Sequence, residues 1–187
     1  MDQQQTTFRR IVTGHDVDHK SIIVSDAPPA FTQLIGGPGG PTFFEMWHTM
    51  ETPALIHPQP DDLDETKLVL APPKNGTRIR VIEFPPEGNE IKSLTGITAA
   101  EKFKTMGAEN AFNSSEEGAP HSLMHRTKTV DYGIVLEGEI IMILDREETT
   151  IKAGDIVIQN GTNHAWANRS GKICRMAFVL IDGQFTF

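Results

Sequence analysis

With a single cysteine, Cys174, the chain can form no intramolecular disulfide. That residue sits in the alternating apolar segment ICRMAFVLI, which predicts a buried core thiol rather than a nucleophile. No apolar run approaches the ~20 residues that a membrane-spanning helix needs, so no membrane partner is expected. The opening MDQQQTTFRR has no apolar stretch behind its positive charges. It reads as neither a secretory leader nor a transit peptide, and a cytoplasmic location is the expectation. Clustered Lys and Arg are also missing: 17 basic residues are scattered among 25 acidic ones, for a net charge of -8. This argues against a nucleic-acid surface. Neither a Walker motif, a nucleophile elbow nor a paired-Cys zinc signature is present, and GGPGG at 36–40 lacks the strand, helix and Lys of a phosphate loop.

What the sequence does hold is a dense series of short β-rich runs, within a length that fits one domain over 1–187. An N-terminal extension, 1–110, carries candidate strands at 21–24, 42–48, 67–70 and 78–84, separated by turn signals such as DAPPA and APPKNG. Thr98 and Glu101 resemble a capping box that opens a short surface helix through about Met106, followed by a polar loop. In the region 120–182 strands are expected at 130–136, 139–144, 149–152, 156–159 and 173–181, with Gly138, Gly154 and Gly161 in the turns. The fold class is therefore all-β, an antiparallel sandwich or barrel with one short helix. A strand-rich N-terminal half cannot stabilise itself and should pair with the rest. Edge strands need covering, so a homodimer is also expected.

Two segments carry the chemistry: HRTKTVDYGIVLEGEI from His125, and AGDIVIQNGTNHAWANRS from Ala153. They resemble the two signature motifs of the cupin superfamily, with His125, Asp131 and Gly138 matching the first, and Gly154, Gly161, His164 and Asn168 the second. The resemblance implies a cupin double-stranded β-helix, a jelly-roll barrel, with an N-terminal β-rich extension. It also implies that His125, Asp131 and His164 form the site. The sequence departs from the family pattern at Thr127, where metal-binding cupins have a second His, at Asp131, where Glu is usual, and at Gln159, where Pro is frequent.

Six residues of straight strand would separate His125 from Asp131 by roughly 20 Å, so the chain must turn near 126–129 for the two to converge. Two imidazoles and a carboxylate on one face would suit a divalent metal such as Fe, Zn, Mn or Ni, acting as a Lewis acid on a substrate oxygen. Without a metal, the same three side chains become general acid and base candidates. His121, four residues before His125, would join them only if the strand bulges. Thr127, Gln159, Trp166 and Arg80 are candidate pocket-lining residues. Arg78 and Arg80 share one side of their strand, to hold a substrate anion or to face solvent. His15, His19, His48 and His57 read as surface or turn residues. The function expected is that of an enzyme acting on a small oxygenated organic substrate, of dioxygenase, decarboxylase, dehydratase or isomerase type. A non-catalytic module that binds a ligand or metal is the alternative.

Overall fold

The computed structural model describes residues 8–63, 66–88, 96–106, 111 and 118–187. Its strands are β1 (Arg10–His15), β2 (Ser21–Ala27), β3 (Phe31–Leu34), β4 (Thr42–Thr49), β5 (Thr77–Phe84), β6 (Thr129–Glu137), β7 (Glu139–Leu144), β8 (Glu148–Lys152), β9 (Ile156–Asn160), β10 (His164–Ala167) and β11 (Cys174–Asp182), with one helix, α1 (Gly96–Thr105). All pairings are antiparallel. β1 and β2 form a hairpin, β10-β7-β8 a three-stranded sheet, and β3-β4-β5-β11-β6-β9 a six-stranded sheet. The larger sheet joins strands of the N-terminal half to strands of the motif region through the β5–β11 ladder. His125 bridges to His164 at β10, the edge strand of the smaller sheet.

The sheets stack as a jelly roll because strand alternation gives each an apolar inner face. Along β6 the inward positions are Thr129, Asp131, Gly133 and Val135. Ile140 and Ile151 of the smaller sheet meet Val135, Met176 and Phe178 of the larger in one cluster. Each such side chain contributes about 1.5–3 kcal/mol on full burial. Cys174 is fully buried, as its setting predicts. Gly138 closes the β6–β7 turn at φ 76°, where a Cβ would stand 2.6 Å from the Ile173 carbonyl oxygen, so only glycine fits.

Three sequence expectations are corrected. Residues 67–70 form no strand: Leu68 N–H donates to the Gln33 side-chain oxygen and Leu70 N–H to the Met106 carbonyl, while both leucines are buried. The segment is an extended plug whose backbone is satisfied by a side chain and the end of the helix, not by a ladder. Thr98 lies inside α1 rather than capping it, and the helix is not a mere surface element, since Ala99 and Phe103, with Met106 just beyond its end, are buried in the core. The polar loop expected after it falls largely outside the described residues. Among the four N-terminal histidines His15 and His48 differ from expectation, lying half-buried on β1 and β4, with His48 Nδ1 buried. No helix among the described residues is long and apolar enough to cross a membrane.

Candidate active site

A cavity opens between the sheets, with Phe103 and Met106 on one side of it. Aromatic walls come from Phe43, Phe84, Phe103, Trp166 and Phe178, and the polar residues that reach it are Arg80, His125, Thr127, Asp131, Gln159 and His164. All seven residues named from the sequence as site or lining positions therefore border one space. The chain does turn between His125 and Asp131: residues 126–128 belong to no strand, and β6 begins at Thr129.

The two imidazoles lie side by side, with ring centroids 4.2 Å apart. Phe103 packs on His125 at 4.9 Å and the Trp166 edge on His164 at 5.6 Å. His125 Nδ1 is 3.0 Å from the Leu123 carbonyl, and His164 Nδ1 is 3.0 Å from the Thr162 carbonyl. A carbonyl only accepts, so each Nδ1 carries the proton and each Nε2 is left with its lone pair. The Gln159 side-chain amide also meets His164 Nδ1. With the proton on that nitrogen, the amide must present its oxygen. Burial pushes the His125 pKa down to about 4, the Leu123 carbonyl opposing and nearby His121 assisting. Burial also holds His164 well below its ordinary value, and its neighbour His125 adds to the effect.

Asp131 enters from the six-stranded sheet, paired in register with Gln159 on one side and Leu180 on the other. It is 6% exposed, and its Oδ1 is buried without a hydrogen-bond partner. Burial pushes its carboxyl up to about 6, against the Thr129 hydroxyl and the Arg80 charge, both of which favour ionisation. Thr129 in turn shares a 2.6 Å hydroxyl contact with Thr127.

Arg78 and Arg80 face inward, which corrects the solvent-facing reading. Both are buried against Glu45, itself 0% exposed, with Arg78 Nη1 at 2.8 Å and Arg80 Nε at 3.0 Å from its oxygens. Arg80 Nη2 also donates to the Val69 carbonyl at 2.7 Å. His121 does not border the cavity. Its Nε2 pairs with Glu87 at 2.9 Å while its Nδ1 accepts the Leu123 N–H, so the Leu123 peptide separates it from His125.

Sequence reasoning missed Glu45, Thr129 and Phe103. Two inward arginines on one strand demand a carboxylate opposite, and Glu45 in TFFEMWHT is an acid set among apolar residues. That signal was available.

The metal-ligand set expected at His125, Asp131 and His164 does not fit this geometry. Among the described residues no three His, Cys, Asp or Glu side chains converge as a metal-ligand group. Thr127, at the position of the family's second histidine, offers a hydroxyl already engaged with Thr129. No step is therefore assigned to a metal here.

Residues 113–181 match the model of the cupin domain family. The phomopsin biosynthesis cluster protein C' of Diaporthe leptostromiformis is 31% identical over 185 residues, covering 95% of this chain and 80% of that protein. The cupin-domain-containing oxidoreductase fogC of Aspergillus ruber is 45% identical over 65 residues, 33% of this chain and 32% of that protein. Among solved structures, an RmlC-like cupin family protein from Methanocaldococcus jannaschii covers 81% of this chain and 89% of its own at 12% identity, with a TM-score of 0.42. The chain belongs to the cupin superfamily.

Proposed function

We propose that this chain is a biosynthetic tailoring enzyme that moves a proton on an apolar, oxygen-bearing small molecule held in the cavity. The observation that carries this reading is the unpartnered Asp131 Oδ1 in a cavity that also holds two neutral imidazoles. Leaving a buried carboxyl oxygen without a partner costs about 1–3 kcal/mol, a cost that a bound small molecule would offset. A substrate hydroxyl or carbonyl oxygen would supply the missing hydrogen bond, while the aromatic walls would hold its apolar body.

In this reading Asp131, protonated, donates to a substrate carbonyl oxygen as the Nε2 of His125 or His164 removes a proton from the adjacent carbon. The products are an enol, an imidazolium and a carboxylate. Charge is conserved within the site, because the new cation forms in the same cavity as the new anion, and that pairing raises the basicity of a histidine that is weakly basic at rest. Returning the proton to a different atom completes an isomerisation; in a dehydration the imidazolium protonates a β-hydroxyl, which leaves as water while the enol O–H proton returns to Asp131 and a carbon–carbon double bond forms beside the restored carbonyl. Arg80, held by Glu45, keeps the carboxylate form of Asp131 accessible.

The test is hydrogen exchange in D2O, followed by NMR, on a panel of aromatic and alicyclic ketones. The wild-type protein should exchange an α-hydrogen of at least one of them, and Asp131→Asn and His164→Ala should slow this by roughly 100-fold or more. Exchange that both variants leave intact would refute the assignment, as would none above background. A second reading, oxidation of the same class of molecule, is favoured by relatives named as oxidoreductases. Oxygen uptake with the same panel separates the two.

A further inference from the structure

We propose that His121, paired with Glu87, is a positioning residue that holds the proton of His125 on Nδ1 and so leaves His125 Nε2 to act as the base. The role presupposes the proton transfer described above, in which His125 is one of two candidate bases. The His121 and Glu87 side chains are 8% and 12% exposed, and neither borders the cavity. Both ring nitrogens of His121 are nevertheless engaged: Nδ1 lies 3.1 Å from the Leu123 nitrogen and Nε2 lies 2.9 Å from Glu87 Oε1. A backbone N–H only donates, so Nδ1 must accept. The ring proton therefore sits on Nε2 and is donated to Glu87. His121 and His125 hold opposite tautomers.

The link between the two rings is the backbone turn at 121–124. Met124 N–H donates to the His121 carbonyl at 3.3 Å, and Leu123 N–H donates to the His121 ring. His121 thus supplies the acceptors for two successive peptide N–H groups. In a planar trans peptide the C=O points away from the N–H, so pinning Met124 N–H on His121 turns the Leu123 carbonyl out of the turn. There His125 Nδ1 meets it at 3.0 Å. An acceptor on the side chain of residue i for the N–H of residue i+2 is what Asn and Asp provide in Asx turns. An imidazole in that place has a second nitrogen left for an anchor. Glu87 is itself tied down: its N–H donates to the Asn168 carbonyl at 2.8 Å, and the Asn168 side chain donates to the Phe84 and Lys172 carbonyls, each at 2.7 Å. The end of β5 and the segment between β10 and β11 therefore steady a turn to which neither belongs.

Which nitrogen of a neutral imidazole carries the proton is set by the hydrogen bonds that the ring makes. At His125 that choice falls to the Leu123 carbonyl. Were the carbonyl to swing away, the proton would be free to move to Nε2, and the lone pair that takes a proton from substrate would be lost. One neutral hydrogen bond shifts such a ratio by roughly 5-fold or more. His164 is fixed separately, by the Thr162 carbonyl and the Gln159 side chain. The His121 turn thus acts on one of the two cavity imidazoles and leaves the other as an internal control.

The experiment reads the ring tautomers by two-bond proton–nitrogen NMR correlation on the full nitrogen-labelled chain near neutral pH, with His121→Leu and His121→Asn alongside. In the wild type His121 should be the Nε2–H form, and His125 and His164 the Nδ1–H form. His121→Leu removes the ring acceptor and should lower the ratio of Nδ1–H to Nε2–H at His125 by roughly 5-fold or more, with His164 unchanged. His121→Asn returns an oxygen within reach of Leu123 N–H and should restore the wild-type pattern. On any ketone that the wild type exchanges, kcat should fall in the Leu variant with KM held within ~2-fold, and recover in the Asn variant. If the wild type exchanges no ketone, the proposed reaction falls, while the tautomers still decide the role of His121. If His121→Leu fails to fold, the wild-type tautomers and the protection of the Leu123 amide from hydrogen exchange decide it. His121 and His125 in the same tautomer, or a Leu123 amide that exchanges freely, overturns the proposal. So does a folded Leu variant in which His125 stays wholly Nδ1–H, or in which His164 changes along with it.

Discussion

Replacing Asp131 with Asn keeps the shape of the side chain and its capacity to accept from Thr129, but removes its ability to ionise. In the folded protein burial raises this carboxyl from 3.8 to about 6. Because folding raises the pKa, the group's favourable contribution is fully present below 3.8 and is lost as pH rises through about 6. Above that point the folded state holds an ionised carboxylate with an unpartnered oxygen, and a shift of this size corresponds to roughly 3 kcal/mol. The variant should therefore be more stable than wild type by about 2–3 kcal/mol at pH 8, and differ by less than ~1 kcal/mol at pH 4. With a urea slope of about 2 kcal/mol/M, the midpoint should rise by roughly 1–1.5 M at pH 8. The buried histidines titrate in both proteins and cancel in the difference. Urea unfolding at both pH values and one protein concentration is the assay. A variant less stable than wild type at pH 8, or a difference independent of pH, would show that Asp131 is already satisfied in the folded state. The acid role would then lose its basis.

The proton-transfer rate should be highest between about pH 4, above which His125 is neutral, and about pH 6, below which Asp131 holds its proton; a kcat/KM profile rising steadily past pH 7 contradicts the assignment. Glu45→Gln leaves the Arg78 and Arg80 guanidiniums buried around a neutral amide and should cost about 3–5 kcal/mol in urea unfolding, whereas a loss under ~1 kcal/mol would mean that water reaches the cluster. Thr127→His adds a third imidazole beside His125 and His164 and should raise affinity for Ni or Zn measured by calorimetry; no gain over wild type would place position 127 too far from the pair.

The motif region was legible because its strands alternate cleanly and its glycines fall where tight turns need them. β7 ends where the pattern ends, and β6, β9 and β11 lie within a residue of expectation at each end. His125, Asp131 and His164 were all found through the motif resemblance. The four-residue β3 and β10 were missed because so short a run shows barely two repeats of the pleat. The apolar pair Leu68 and Leu70 marked burial correctly but not conformation, since a plug and a strand share the same period. α1 looked like a surface element because its described inward side chains, Ala99 and Phe103, with Met106 just beyond its end, meet a target that lies far away in sequence.

The arginines of β5 are the instructive failure. TRIRVIEF alternates only from Arg78 to Val81, and over that stretch hydrophobicity alone would put Ile79 inside and Arg78 and Arg80 outside. The chain does the reverse, because β4 sets Glu45 directly across from Arg80 and satisfies the charges within the core. Once Arg80 faces in, the pleat forces Ile79 out, and the ladders carry this choice across the sheet. Val179 opposes Ile79, Tyr132 opposes Val179, and Ile158 opposes Tyr132. By the same alternation Asp131 and Gln159, the chain neighbours of Tyr132 and Ile158, are held inward at the cavity. The polar inner face and the apolar outer face are thus one register decision seen from two sides. A slip of one residue in β6 or β9 would bury Tyr132 or Ile158 and eject Asp131 or Gln159. The slip is most open at β9, an edge strand paired on one side alone, so its register with β6 is what holds Gln159 against His164.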